Sequence, residues 1–176
     1  MFQIFGTRIE ARMGDPLAVE ADGLVFPAND HLWMGTGLGG SVKKRGGEVI
    51  EIAAVRQGPA QLGQTIVTEA GALPFRRLYH AVLCGQDLKP HHDQIAPALK
   101  AALAAAAREG LERLAIAPPE DEALAGAFRD ACREVVRGLF DGLGSGTRLA
   151  EVILVTHGEE GRTAYRQALH EVLSGK

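Results

Sequence analysis

The chain is 176 residues long, 46% hydrophobic and 23% charged, with a formal net charge of −3. That make-up fits one globular domain over residues 1–176 with a sizeable core, and it leaves no basic footprint for nucleic acid or an anionic membrane. No run approaches the roughly 18 apolar residues of a membrane span, and the segment from Met1 to Phe5 lacks the basic flank and long apolar core of a signal peptide.

Short apolar runs alternate with helix-like segments along the whole length. Strands are predicted at 1–5, 8–13 and 23–27, a short helix over 41–45, and a longer one over 48–57 that stops at Gly58-Pro59. Strands at 64–68 and 77–83 precede an Ala- and Leu-rich helix over 95–108, closed by Gly110. A strand at 113–117 leads to a helix over 123–140, and a strand at 152–156 to a helix over 161–173. Between these last two pairs, Asp141-Gly142-Leu143-Gly144-Ser145-Gly146 reads as a flexible surface connection. The strands are rich in Val, Ile and Leu, which marks burial on both faces. Strand–helix alternation then implies an α/β fold whose sheet is largely parallel, with helices on both sides.

Cys84 and Cys132 stand outside any C-x-x-C pattern and read as reduced core thiols of a cytoplasmic protein. His91-His92-Asp93 invites a metal, but adjacent histidines project apart and no third ligand lies at a useful spacing. It is expected to lead into the next helix, with Asp93 near that helix's N-terminus. Neither a metal nor a cofactor is expected.

Four glycines crowd the six positions Gly35-Thr36-Gly37-Leu38-Gly39-Gly40. Each costs backbone entropy on folding, so helix stability does not explain them. They allow backbone N–H groups to approach a ligand, and the helix that follows would add a dipole favouring an anion. A phosphate-bearing ligand is the sharp reading, and a mobile glycine linker the plain one. The string also fits G-x-G-x-x-G, but a dinucleotide fingerprint needs its first glycine at the strand end, and here Asp30 to Met34 intervene.

The wider context is more specific. Gly14-Asp15-Pro16, the run from Ala21 to Asn29, Leu32 with the glycine string, and Gly46-Gly47 follow one another. This series resembles the macro domain family, which shows G-D-I, V-D-A-I-V-N-A-A-N, L-x-x-G-G-G-V-x-x-A-I and a later G-G. Gly63 to Pro74 is similar to that family's G-x-A-x-x-T-x-G-x-L-P segment, and Arg77 to Val82 to its V-I-H strand. The likeness runs motif by motif over residues 1–83. It implies a three-layer α/β/α fold around a mixed, mainly parallel central sheet. It also implies ADP-ribose or an ADP-ribosylated molecule as partner. Asp15 falls where an aspartate accepts the adenine amine, and Asn29 where an asparagine contacts the distal ribose. Gly35, Gly37, Leu38, Gly39 and Gly40 fall in the first phosphate loop. Taken alone, Asp15 also suits a turn before Pro16, and Asn29 an Asx-turn closing a strand.

The chain departs from the family at several places. Phe26 and Pro27 replace the first two residues of N-A-A-N, and Gly39 stands where one hydrolytic class carries an aspartate. The second phosphate loop, Pro118 to Phe128, carries Glu120, Asp121 and Glu122 in place of glycines. A like-charge pair at ~8 Å costs roughly 2 kcal/mol, against about 8 kcal/mol for micromolar binding. The acids are expected to face water, ahead of a helix starting at Ala123. Thr156-His157-Gly158 stands where an aromatic often stacks on adenine, and His157 reads as a surface residue. His80, in the V-I-H strand, reads as a satisfied core histidine. Three functional readings follow: an ADP-ribose binding module, an ADP-ribosyl or O-acetyl-ADP-ribose ester hydrolase with no assigned catalytic residue, or a diverged fold that no longer binds nucleotide.

Overall fold

The computed structural model describes residues 1–118 and 127–175. Among them, seven strands form one sheet: β1 Phe2–Ile4, β2 Thr7–Met13, β3 Gly23–Asn29, β4 Thr65–Thr68, β5 Arg77–Cys84, β6 Arg113–Ile116 and β7 Glu151–Thr156. Each overlaps a predicted run. The order across the sheet is β1-β2-β7-β6-β3-β5-β4. The five inner strands are parallel, and β1 and β4 run antiparallel at the two edges. Helices α1 Gly37–Gly46 and α2 Glu48–Val55 cover one face; α3 Ile95–Arg108, α4 Phe128–Gly144 and α5 Glu159–Leu173 cover the other. His92–Gln94 forms a 3-10 turn before α3. The sheet is therefore the mixed, mainly parallel middle layer that the sequence predicts.

Strand side chains alternate between the layers, as a pleated backbone requires. Val25, Leu114, Ile116, Val152 and Leu154 enter the core under α3, α4 and α5. Leu24, Phe26, Ala115, Ile153 and Val155 enter the core under α1 and α2. Pro27 sits in an inner strand without breaking it. Val25 faces β6, accepting the Ala117 N–H through its carbonyl at 2.9 Å. Parity then turns the Pro27 nitrogen to the same side, beyond Ile116 where the β3–β6 pairing stops. No ladder bond is lost there, and β3 reaches Asn29, two residues past its predicted end.

Two expectations about glycine-rich segments need correction. The helix predicted from Ser41 begins at Gly37, so most of the glycine string is helix rather than loop. Asp141 to Gly144 is the last turn of α4, not a flexible connection; the helix predicted to end at Phe140 runs on to Gly144. The reason is a close seam between α3 and α4. A Cβ on Gly138 would lie 2.9 Å from Ala96 Cα, and one on Gly142 2.5 Å from Leu103 Cδ1. Alanines at 98, 102, 105 and 106 keep the buried stripe of α3 shallow enough for that approach. The predicted start of α4 at Ala123 lies outside the described residues.

The seam generates a test. Gly138→Ala is expected to lower the unfolding free energy by about 1–3 kcal/mol, because the added methyl meets backbone. Helix propensity alone would raise it by up to about 1 kcal/mol. Urea denaturation decides the sign, and a stabilised variant would show that the seam yields.

Candidate functional site

Parallel strands bring their C-terminal ends to one edge of the sheet, where α/β folds build ligand sites. Here that edge gathers Asp15 after β2, Asn29 at the end of β3, Cys84 at the end of β5 and His157 after β7. Asp15 and Asn29 are separated by β6 and β7, three strand spacings or ~14 Å. Helix α1 bridges the gap. Gly37 lies beside Asn29, and Arg45, eight residues or ~12 Å further along, bonds Asp15. Its apolar residues Leu38 and Val42 are buried beneath it in one core with Phe26, Ala117, Ile153 and Val155.

A cleft of about 170 Å³ opens between the end of β3 and the start of α1. Among the described residues its walls are Phe26 to Asn29, Leu32 to Met34, Thr36 to Gly39, His80, Cys84 and Leu88. It thus brings together Asn29, Gly37, Leu38 and Gly39 of the predicted site. Gly35 and Gly40 flank it, and Asp15 lies at the far end of α1. The helix start is open. Thr36 is its extended N-cap, no side chain among the described residues caps it, and no acid occupies its first turn. Gly40 is the first whose N–H finds the turn's own carbonyl, that of Thr36 at 3.0 Å. The preceding N–H groups are those a helix leaves unpaired. Lys43, Lys44 and Arg45 in the last turn complement the opposite pole. Only Gly37, at φ +60°, is demanded by the backbone; a Cβ at Gly35 would meet nothing within 4 Å, and one at Gly39 only ordinary contacts at 3.7 Å. The protein's own packing leaves these glycines unexplained.

Side chains around the cleft are mostly spent on shaping it. Asn29 is an Asx-turn residue: Oδ1 accepts the N–H groups of His31 at 3.1 Å and Trp33 at 3.2 Å, and Nδ2 donates to the Trp33 carbonyl at 2.7 Å. Glu51 of α2 accepts the Met34 N–H at 2.6 Å and pairs with Lys43 at 3.2 Å, which ties α2, α1 and the glycine string together. Trp33, 58% exposed, stands on the lip with its ring 5.1 Å from that of His31. The roles of Glu51 and Leu88 have no signature in the sequence, since each depends on residues far along the chain.

His80 corrects another expectation. It is fully buried on the cleft floor, its ring 4.6 Å from Phe26, and Nε2 shares a 2.8 Å hydrogen bond with Thr68 Oγ1. Nδ1 has no partner among the described residues, so the histidine is not fully satisfied. Burial holds its pKa down at about 4 and keeps the ring neutral. Cys84, expected in the core, is half-buried in the cleft wall; burial and then Asp87 and Asp30 push its thiol pKa up. Asp15 accepts Arg45 Nη1 at 2.7 Å on Oδ2 and the Leu17 N–H at 2.9 Å on Oδ1. Arg45 first, then Leu17, holds its carboxyl below the usual range. His157 is exposed. The acids expected in the second loop, Glu120 to Glu122, lie outside the described residues.

A pH prediction follows from His80. Its ordinary value is 6.5 and its folded value about 4, so the unfolded chain binds the extra proton between those limits. Its contribution is complete above pH 6.5 and is lost as pH falls through the folded pKa, by about 3 kcal/mol in total. Stability of the wild type should fall more steeply with acidification over this window than that of His80→Gln. Parallel curves from denaturant titrations would overturn the assignment.

The Macro domain family matches residues 25–119 of the chain. An uncharacterised protein of Aeropyrum pernix is 32% identical over 171 residues, which cover 96% of this chain and 89% of that one. An Oceanobacillus iheyensis macrodomain solved with ADP superposes with a TM-score of 0.83 at 18% identity, over 99% of this chain and 96% of its own. A Trypanosoma brucei macrodomain in complex with ADP-ribose gives 0.75 at 18% identity, over 93% and 69%. At such identity the two structures establish a shared fold.

Proposed function

The chain belongs to the macro domain family, and from that premise we propose that it binds ADP-ribose or an ADP-ribosyl group at the C-terminal edge of its sheet. The observation that carries this reading is the uncapped start of α1, which faces the cleft and includes Gly39, a glycine that the protein's own packing does not require. First-turn N–H groups of Gly37, Leu38 and Gly39 receive the diphosphate, where the helix dipole favours negative charge. Asn29 lies beside the distal ribose, and Asp15 takes the adenine amine as an acceptor-only carboxylate. Solved relatives hold ADP and ADP-ribose on the same fold.

Binding, rather than hydrolysis, suits the chemistry of the walls. Among the described residues no carboxylate lines the cleft. His80 is neutral and buried, Cys84 is held as a thiol, and the Asn29 amide is engaged by its own turn. None of these is poised to activate water.

Two measurements test the proposal. Asp15→Ala removes the acceptor for the adenine amine. A charge-assisted hydrogen bond contributes roughly 1.5–3 kcal/mol, so calorimetric affinity for ADP-ribose should fall about tenfold to hundredfold, while that for ribose 5-phosphate, which lacks the base, should hold. Unchanged affinity, or no binding by the wild type at millimolar ADP-ribose, would sink the reading. Release of ADP-ribose from a glutamate-linked ADP-ribosyl protein should be slow or absent, since a positioned general base contributes roughly 10²–10⁴-fold. Turnover equal to that of an active hydrolase, abolished in Asn29→Ala, would place the chain among the enzymes.

A further inference from the structure

The Asp15 carboxylate has a cationic neighbour thirty residues away. Arg45 Nη1 donates to Oδ2 at 2.7 Å, and the pair is nearly half exposed, at 45% and 48% of the two side chains. Three backbone donors around Asp15 are already committed. Gly14 N–H bonds the Thr156 carbonyl, Leu17 N–H bonds Asp15 Oδ1, and Ala18 N–H bonds the Asp15 carbonyl. Pro16 has no N–H to offer. A guanidinium carries five N–H donors in a rigid plane, and only one of Arg45's is spent, on Asp15, among the described residues.

An anionic acceptor and a cationic donor thus stand side by side and open to solvent. An adenine edge presents the matching pair, an amine donor beside the ring nitrogen N1 as acceptor. We propose that Arg45 is a base-recognition residue: it donates to adenine N1 while Asp15 accepts from the exocyclic amine. The inference rests on the ADP-ribose reading above. The length of α1 supports it. From Gly37 to Arg45 the helix rises ~12 Å, so a diphosphate at its start leaves one nucleoside's reach to the Asp15–Arg45 pair. The ion pair also fixes the carboxylate in its charged, accepting form.

Calorimetry with three ligands separates the possibilities: ADP-ribose, its 1-deaza-adenine analogue (N1 replaced by C–H), and ribose 5-phosphate, which has no base. Arg45→Ala should weaken ADP-ribose about tenfold, the scale of one hydrogen bond to a charged group, with thermal unfolding unchanged. The 1-deaza analogue should bind wild type and variant equally, at the variant's affinity for ADP-ribose. Ribose 5-phosphate should not respond. Arg45→Gln, which keeps an N–H donor, should retain part of the preference for N1. Equal losses for ADP-ribose and its 1-deaza analogue would overturn the inference and leave Arg45 as a support for Asp15. A loss extending to ribose 5-phosphate would assign Arg45 to phosphate or to folding instead. Wild-type binding of ADP-ribose with no dependence on N1 rejects Arg45 alone; absence of any wild-type binding takes down the functional reading and the inference with it.

Discussion

Helix α1 lies across the strand ends instead of along a strand, and the geometry of the edge depends on that placement. Its ten residues set the distance between the cleft at Asn29 and the carboxylate at Asp15. Buried Leu38 and Val42 hold its middle to the sheet. Gly46 anchors its end: a Cβ there would meet Ile50 and the Ala70 carbonyl, and one on Gly71 would meet the Gly46 carbonyl. Glu51 secures the beginning by joining Met34 and Lys43 to α2. A helix fixed at both ends and in the middle keeps its open N-terminus aimed at one place without a ligand to hold it there.

The electrostatics of the edge follow from the same placement. Two carboxylates along this edge are paired with cations, Glu51 with Lys43 and Asp15 with Arg45, while Asp30 and Asp87 lie near Cys84 in the cleft wall. The floor histidine is neutral and the wall thiol protonated. No acid stands in the first turn of α1, so the helix turns its positive pole toward the cleft, a partial charge worth more in a half-enclosed site than in open water.

The strands were legible because four of them, β3, β5, β6 and β7, are buried on both faces, and runs of Val, Ile and Leu such as Val152 to Val155 have few other uses. Glycine was the ambiguous letter. It reads the same in a loop as in a helix pressed against another, and only the opposing alanines of α3 show that Gly138 and Gly142 belong to a seam. The motif series placed Asn29, Gly37, Leu38 and Gly39 at one cleft, since those residues are consecutive or nearly so. Arg45, Glu51 and His80 acquire their roles from partners 30, 17 and 12 positions away. No local spacing encodes such pairings.

Trp33 is the sole tryptophan of the chain, and both tyrosines, Tyr79 and Tyr165, are buried away from solvent. The molecule therefore carries one indole reporter, more than half exposed and standing on the lip of its cleft. Its emission is set by local polarity and by contact with whatever comes to rest beside it. Occupancy of the cleft is written into the intrinsic fluorescence of the unlabelled protein, at a wavelength where no other residue of the chain competes.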